Sequence, residues 1–290
     1  MIERIEGKSE IRAAMADACR AGKTIGLVPT MGALHKGHLS LVEAARERAD
    51  VVVVSVFVNP TQFGPDEDLD RYPRHIDDDM ELLAAHGVDF VFTPTVETMY
   101  GSGALVTVDP GPLAKRWEGE VRPGHFSGVA TVVTKLLNIV RPDFAFFGEK
   151  DFQQLAVVTR MVADLDLGAE VVACPIVRDV DGLALSSRNA FLSADDHDRA
   201  LALPEALEAA AQALSWGERS GEALGIVMRQ AAATRAPGAL TLDYAAVVDA
   251  RTFEPLATVD RPARAIIAGR VGTTRLIDNL ALTPPAEAAE

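Results

Sequence analysis

The chain has 290 residues, 48% hydrophobic and 24% charged, with a net charge of −14. That length buries a full core as one large or two smaller domains. The acidity argues against a nucleic-acid partner, which needs a basic face, and no apolar run reaches the ~20 residues that span a bilayer. The stretch MIERIEGKSEIR is charged from its third residue and lacks a signal-peptide core. Cys19 and Cys174 have neither metal nor redox spacing. Both are expected to be buried, in a protein of the reducing cytoplasm.

In chain order, Ser9 is placed to cap a helix reaching about Ala21, followed by a strand over Lys23–Val28 and an amphipathic helix over Gly37–Ala49. The run VVVVSVFV (Val51–Val58) is apolar on both faces, as a central parallel strand must be. A helix over Ile76–His86 and a strand over Val88–Phe92 come next. The long apolar helix Phe126–Val140 leads to strand Phe144–Phe147, helix Asp151–Leu165 and strand Glu170–Cys174. Strand–helix alternation of this kind predicts an α/β fold, a doubly wound, Rossmann-like parallel sheet over residues 1–176. Beyond it the rhythm changes. Ala-rich helices near Ala194–Leu214 and Gly221–Ala233 precede strands over Leu242–Val248, Arg264–Ala268 and Thr274–Asn279. Residues 177–290 are expected to form a smaller α+β domain ending in a disordered tail, TPPAEAAE.

Three strands end in polar, Gly- or Pro-containing stretches: PTMGALHKGH, NPTQF and GEKDFQQ. In an open parallel sheet all three exits lie on one edge, where ligands bind. Gly37 leaves room around His35 and His38 at a helix start, where free N–H groups and the helix dipole favour an anion. Imidazole N–H groups there suit phosphate oxygens; the alternatives are a capping histidine beside an exposed one, or a zinc pair completed by His125. Lys150 is placed to meet phosphate, or else to pair with Glu149 on the surface. Asp151 can cap the next helix or hold a ribose hydroxyl. Asn59 and Gln62 exit the central strand, while Gln153 and Gln154 open a helix. In RPGHFSGV, Arg122 and His125 lie at a Pro-Gly turn and can be no more than a helix start. In DGLALSSRN, Ser186, Ser187 and Arg188 suit triphosphate oxygens, with Ser193 free to cap the next helix. The acidic run Asp77–Asp79 reads first as a solvated helix start; alternatively, Asp78 and Asp79 hold Mg²⁺ through water.

Five stretches, VPTMGALHKGH, FVNPTQF, RPGHFSGVATVV, FGEKDFQQL and VRDVDGLALSSRN, occur in this order. Together they resemble the pantoate–β-alanine ligase family of the HxGH nucleotidyltransferase superfamily, over roughly residues 1–280. The resemblance implies an ATP-dependent ligase that forms pantoyl adenylate with release of pyrophosphate, then joins it to β-alanine with release of AMP. It implies catalytic phosphate contacts at His38, His35, Lys150, Ser186, Ser187 and Arg188. It places ATP also against Pro29, Thr30, Met31, Gly32, Gly37, Gly148, Asp151 and Val177. Gln62 and Gln154 match residues that grip pantoate, with Pro29, Met31, Phe63 and Val133 against its methyl groups. Arg122 and His125 match a family motif without an assigned role. Mg²⁺ on the β- and γ-phosphates, a homodimer and a cytoplasmic location are also implied.

Overall fold

The computed structural model describes residues 2–65 and 67–284, so most of the expected disordered tail, residues 285–290, lies outside the described residues. The chain divides into two compact units, the first ending at Val177 and the second beginning at Arg178. The first unit opens with β1 (Glu3–Ile5), α1 (Lys8–Arg20), β2 (Ile25–Thr30), α2 (Lys36–Arg48) and β3 (Val51–Val56). It continues through α3 (Ile76–Ala85), β4 (Phe90–Phe92) and the short helices α4 (Val96–Tyr100) and α5 (Glu118–Val121). The long α6 (His125–Val140), β5 (Phe144–Gly148), α7 (Phe152–Asp164) and β6 (Glu170–Cys174) complete it.

All six strands pair in parallel in the order β1-β4-β3-β2-β5-β6. Alternating side chains supply two apolar faces. Leu27, Val51, Val53, Ala145 and Phe147 join the core formed with α1, α6 and α7, while Val28, Val52, Val54 and Phe146 join the core formed with α2 and α3. The doubly wound parallel sheet expected from the sequence is therefore present.

From β2 the sheet grows outward through β3 and β4, then the chain crosses back to lay β5 and β6 on the other flank of β2. The order reverses between β2 and β5, which is where such sheets receive ligands. These two strands pair only at Gly26–Phe144 and Leu27–Ala145, whereas β2 stays paired with β3 as far as Thr30. Beyond Leu27, β2 and β5 part company. Proline explains why this is tolerated. Main-chain oxygens of Thr24 and Thr30 accept bonds on the β3 side, from Val51 and Phe57, while Ile25 accepts from Asp143 on the β5 side. Alternation therefore turns the Pro29 nitrogen, which has no hydrogen to give, toward β5, where no rung is made. The strand accordingly runs through Thr30 rather than ending at Val28.

In the second unit, α8 (Ala194–Ala200), α9 (Ala202–Ser215) and α10 (Gly221–Arg235) cover an antiparallel sheet of β7 (Leu240–Asp249), β8 (Ala263–Val271) and β9 (Thr274–Leu282). A tight hairpin turns at Gly272, whose φ of +56° suits glycine.

Several local expectations are corrected. The cap of α1 is Gly7, not Ser9, which lies inside the helix. The strand from Val51 stops at Val56, because Pro60 opens a short 3-10 turn over Pro60–Gln62. The helix near Ala194–Leu214 is broken at Leu201: Pro204 cannot donate to the carbonyl of Ala200, so a new first turn begins. Cys19 is exposed on α1, while Cys174 is buried as expected. The short β1, α4 and α5 carry too little periodicity to be read in advance.

Candidate active site

The loop leaving β2 is shaped by its own side chains. Thr30 Oγ1 donates to the Ser55 carbonyl (2.8 Å) and accepts from Gly32 N (3.2 Å). Gly32 and Ala33 both have positive φ (84° and 52°). That conformation is held by Asp79 of α3, whose two carboxylate oxygens accept from Ala33 N at 3.0 Å and Leu34 N at 2.8 Å. A Cβ on residue 32 would lie 2.9 Å from Asp79 Oδ2, so only glycine fits. Asp79 is thus no solvated helix-start residue: it is 2% exposed, and burial raises its pKa against the pull of the two N–H groups.

The expected magnesium pair does not fit either. Both Asp79 oxygens are engaged by the loop, and Asp78, its neighbour on the helix, is exposed on a different face. Among the described residues no cluster of three His, Cys, Asp or Glu could hold a metal ion, so the zinc alternative for His35, His38 and His125 finds no support.

At the start of α2 the two histidines cap one another's turn. His35 Nδ1 accepts from Gly37 N at 3.1 Å, and His38 Nδ1 accepts from His35 N at 3.3 Å. The rings lie 4.0 Å apart between centroids. Since a backbone N–H can only donate, each Nδ1 is bare, and the proton of the neutral ring is on Nε2. The rings are held neutral. Burial, then the Lys150 ammonium, lowers the pKa of His35 to about 4; burial, then His35 and Lys150, lowers that of His38 to about 3. The Lys150 ammonium thus acts electrostatically on both rings. Asp151 lies 3.8 Å from the Lys150 ammonium and does not cap α7 with its side chain. Sequence reading brought His35, His38, Lys150 and Asp151 to one edge, and the structure brings them together.

The exit of β3 forms the adjoining wall. Asn59, 1% exposed, accepts at Oδ1 from Thr61 Oγ1 (3.0 Å) and Tyr100 Oη (2.7 Å), and donates from Nδ2 to the Gly128 carbonyl (3.2 Å) and to Gln62 Oε1 (3.1 Å). Asn59 is spent inside the protein rather than presented to a ligand. The close approach of α6 here requires Gly128: a Cβ would stand 2.3 Å from the Thr61 carbonyl. Gln62 Nε2 lies 3.2 Å from Met31 Sδ, joining this wall to the histidine loop. Phe63 packs edge-on to Tyr72 with centroids 6.0 Å apart, and Val133 is buried in the core face of α6.

Arg122 and His125 now have positions that explain them. His125 Nδ1–H donates to the Gln62 carbonyl at 2.8 Å, and its Nε2 accepts from Arg122 Nη1 at 3.1 Å. Burial first, then Arg122, lowers the His125 pKa to about 4. Arg122 grips Glu67 with two bonds of 2.7 and 2.8 Å. Together they anchor the chain on both sides of Phe63. On α7 the adjacent glutamines part roles. Gln153 is buried and bonded to the backbone of Leu113, Arg116 and Glu118, whereas the side chain of the half-buried Gln154 has no hydrogen bond among the described residues.

In the second unit, Ser186 Oγ accepts from Arg188 N at 3.3 Å at the head of a 3-10 turn over Ser187–Phe191, and Ser193 caps α8 through Asp196 N. Sequence reasoning missed Tyr100, Thr61 and Glu67, none of which carries a local pattern. Only the neighbouring basic residue of RPGHF hinted that a buried acid must answer it.

A doubly wound parallel unit with neutral imidazole donors and an ammonium at the strand exits defines an α/β protein suited to an anionic ligand. Residues 3–281 match the family model for pantoate-beta-alanine ligase, and the chain belongs to that family of carbon–nitrogen ligases. A pantothenate synthetase of Rubrobacter xylanophilus is 55% identical over 269 residues, spanning 90% of this chain and 92% of its own. The crystal structure of the Thermus thermophilus enzyme superposes with a TM-score of 0.92 at 49% identity, covering 98% of this chain and all of that one. That of a pantoate–β-alanine ligase from Francisella tularensis, complexed with β-γ ATP and β-alanine, gives 0.78 at 33% identity over 97% of both chains. No helix among the described residues is long and apolar enough to cross a membrane.

Proposed function

We propose that the chain condenses pantoate with β-alanine at the expense of ATP. The pantoate carboxylate attacks the α-phosphorus, pyrophosphate leaves, and pantoyl adenylate forms. The β-alanine amine then attacks the acyl carbon, AMP leaves, and the amide of pantothenate results. The observation that carries this reading is the pair of neutral imidazoles with bare Nδ1 atoms, beside Lys150 at the switch point.

Attack of one anion on another needs fixed donors around the oxygens that gain charge. His35 and His38 give Nε2–H groups without a permanent charge that would retain product. Lys150 adds the cation, and Ser186, Ser187 and Arg188 are the second unit's candidate phosphate donors. Gly148, Asp151 and Val177 flank adenosine. Gln154, whose side chain has no partner among the described residues, and Gln62 hold the pantoate oxygens, and Pro29, Met31, Phe63 and Val133 face its methyl groups. Alignment of the reactants and exclusion of water from the adenylate supply the rest of the rate. Magnesium, carried on the β- and γ-phosphates rather than by Asp78 or Asp79, would neutralise their charge. The reading includes a homodimer working in the cytoplasm.

The test is purified protein with ATP, Mg²⁺, pantoate and β-alanine. AMP release that depends on β-alanine, with amide product, is the expected result. A nucleotidyltransferase instead leaves the nucleotide on its product and needs no amine; that outcome would overturn the reading.

A further inference from the structure

Two backbone groups settle the amide of Asn59. The Gly128 carbonyl can only accept, so the atom 3.2 Å from it is Nδ2; Thr61 N can only donate, so the atom it meets at 3.4 Å is Oδ1. The Gln62 atom 3.1 Å from Asn59 Nδ2 must then be an acceptor, Oε1. This leaves Nε2 on the side of Gln62 away from Asn59, against Met31. One of its hydrogens meets only the Met31 sulfur, a weak acceptor, and the other has no partner among the described residues. The Gln62 backbone is equally fixed, because His125 Nδ1–H holds its carbonyl at 2.8 Å. Tyr100 closes the chain: its hydroxyl lies 2.7 Å from Asn59 Oδ1 and 3.3 Å from Thr61 Oγ1.

We propose that Tyr100 is a specificity-positioning residue that acts through Asn59 to lock the Gln62 amide with its N–H groups outward. The wall beside Met31 thereby accepts only hydrogen-bond acceptors. The accepting oxygen of Gln62 is already consumed by Asn59. A carboxylate, hydroxyl or carbonyl oxygen satisfies such a site, and an ammonium leaves both donors facing a donor. The inference rests on the reading of Gln62 as a contact of the acid substrate. It goes further by stating which polarity that contact has and which residue sets it. Tyr100 touches no reacting atom. The bond chain Tyr100–Asn59–Gln62 transmits its effect, each link strengthening the next.

The experiment compares pantoate with analogues in which each hydroxyl in turn is replaced by an oxo group, which only accepts, or an ammonium, which only donates. At the position facing Gln62 the wild-type protein should prefer oxo over ammonium by ~10²-fold or more in kcat/KM, as sites with fixed polar groups do. Tyr100→Phe, a conservative change checked by its melting temperature, should narrow that ratio by about 5-fold, with KM for ATP unmoved. Asn59→Asp is nearly isosteric but offers only acceptors, so Gln62 must turn its N–H groups inward and the preference should invert. A wild-type ratio near one, or the same ratio in both variants, overturns the proposal.

The lock is also read without turnover. In the free protein, the Gln62 side-chain N–H₂ signal should show magnetisation transfer to the Met31 methyl, and should lose it in Asn59→Asp. Failure to use pantoate at all sinks the parent reading while this signal still decides the lock; its absence from the wild-type protein sinks the lock alone.

Discussion

His35 and His38 on one side of the site and His125 on the other are all held neutral by burial, yet they are chemically opposite. Among the described residues the first two spend only Nδ1, on backbone N–H groups, and keep Nε2–H to give. His125 spends both nitrogens, one on the Gln62 carbonyl and one on Arg122. A lowered pKa is common to the three and so distinguishes nothing. What separates a histidine that acts from one that supports is how many of its nitrogens the protein has already used.

That contrast can be broken experimentally. The largest effect is expected at the donors: His38→Ala or Lys150→Ala should slow pyrophosphate release by ~10²–10³-fold, as for loss of other transition-state donors, with no more than the ~0.5–2 kcal/mol loss of a helix cap in the His38 variant. Pyrophosphate release at the wild-type rate would place them outside the chemistry. Asp79→Ala comes next. It strips two loop N–H groups of a charged acceptor and should cost about 2–3 kcal/mol in urea denaturation, together with a fall in kcat as the histidine loop loosens.

His125→Ala should cost about 1–3 kcal/mol, because the Gln62 carbonyl loses its donor, and should raise KM for the acid more than KM for ATP. Equal rises would make His125 a general prop rather than the support of Gln62. A separate effect is expected on pH dependence. Between pH 6.5 and about 4 the unfolded chain binds protons that the folded His35 and His125 refuse, and His38 extends the window to about 3. Their contribution to stability is therefore fully present above pH 6.5 and declines as the pH falls through this window. Urea midpoints measured from pH 7 to 4.5 should drift downward, and a flat profile would contradict the neutral, buried rings.

The parallel sheet was legible because VVVVSVFV and its neighbours alternate two apolar faces, a pattern that only double coverage explains. The histidine pair and Lys150 were legible because strand exits converge by topology, whatever their separation in the chain. Asn59, Asp79 and Arg122 were not. Each is a polar residue whose role depends on a partner far away in sequence: Gly128 and Tyr100 for the first, Ala33 and Leu34 for the second, Glu67 for the third. A string of letters shows that such a residue has hydrogen bonds to make, but only the packed chain shows where they go. Tyr100 had no signal at all, being one aromatic residue near the end of a five-residue helix.

Pro29 carries a last consequence. A cleft between neighbouring β-ribbons is ordinarily at risk of zipping shut whenever its guest departs, since empty rungs are ready-made partners for each other. Here the next rung toward Phe147 and Gly148 is missing its hydrogen by covalent structure. The two strands are therefore kept from pairing further by an imino acid, whether or not anything lies between them.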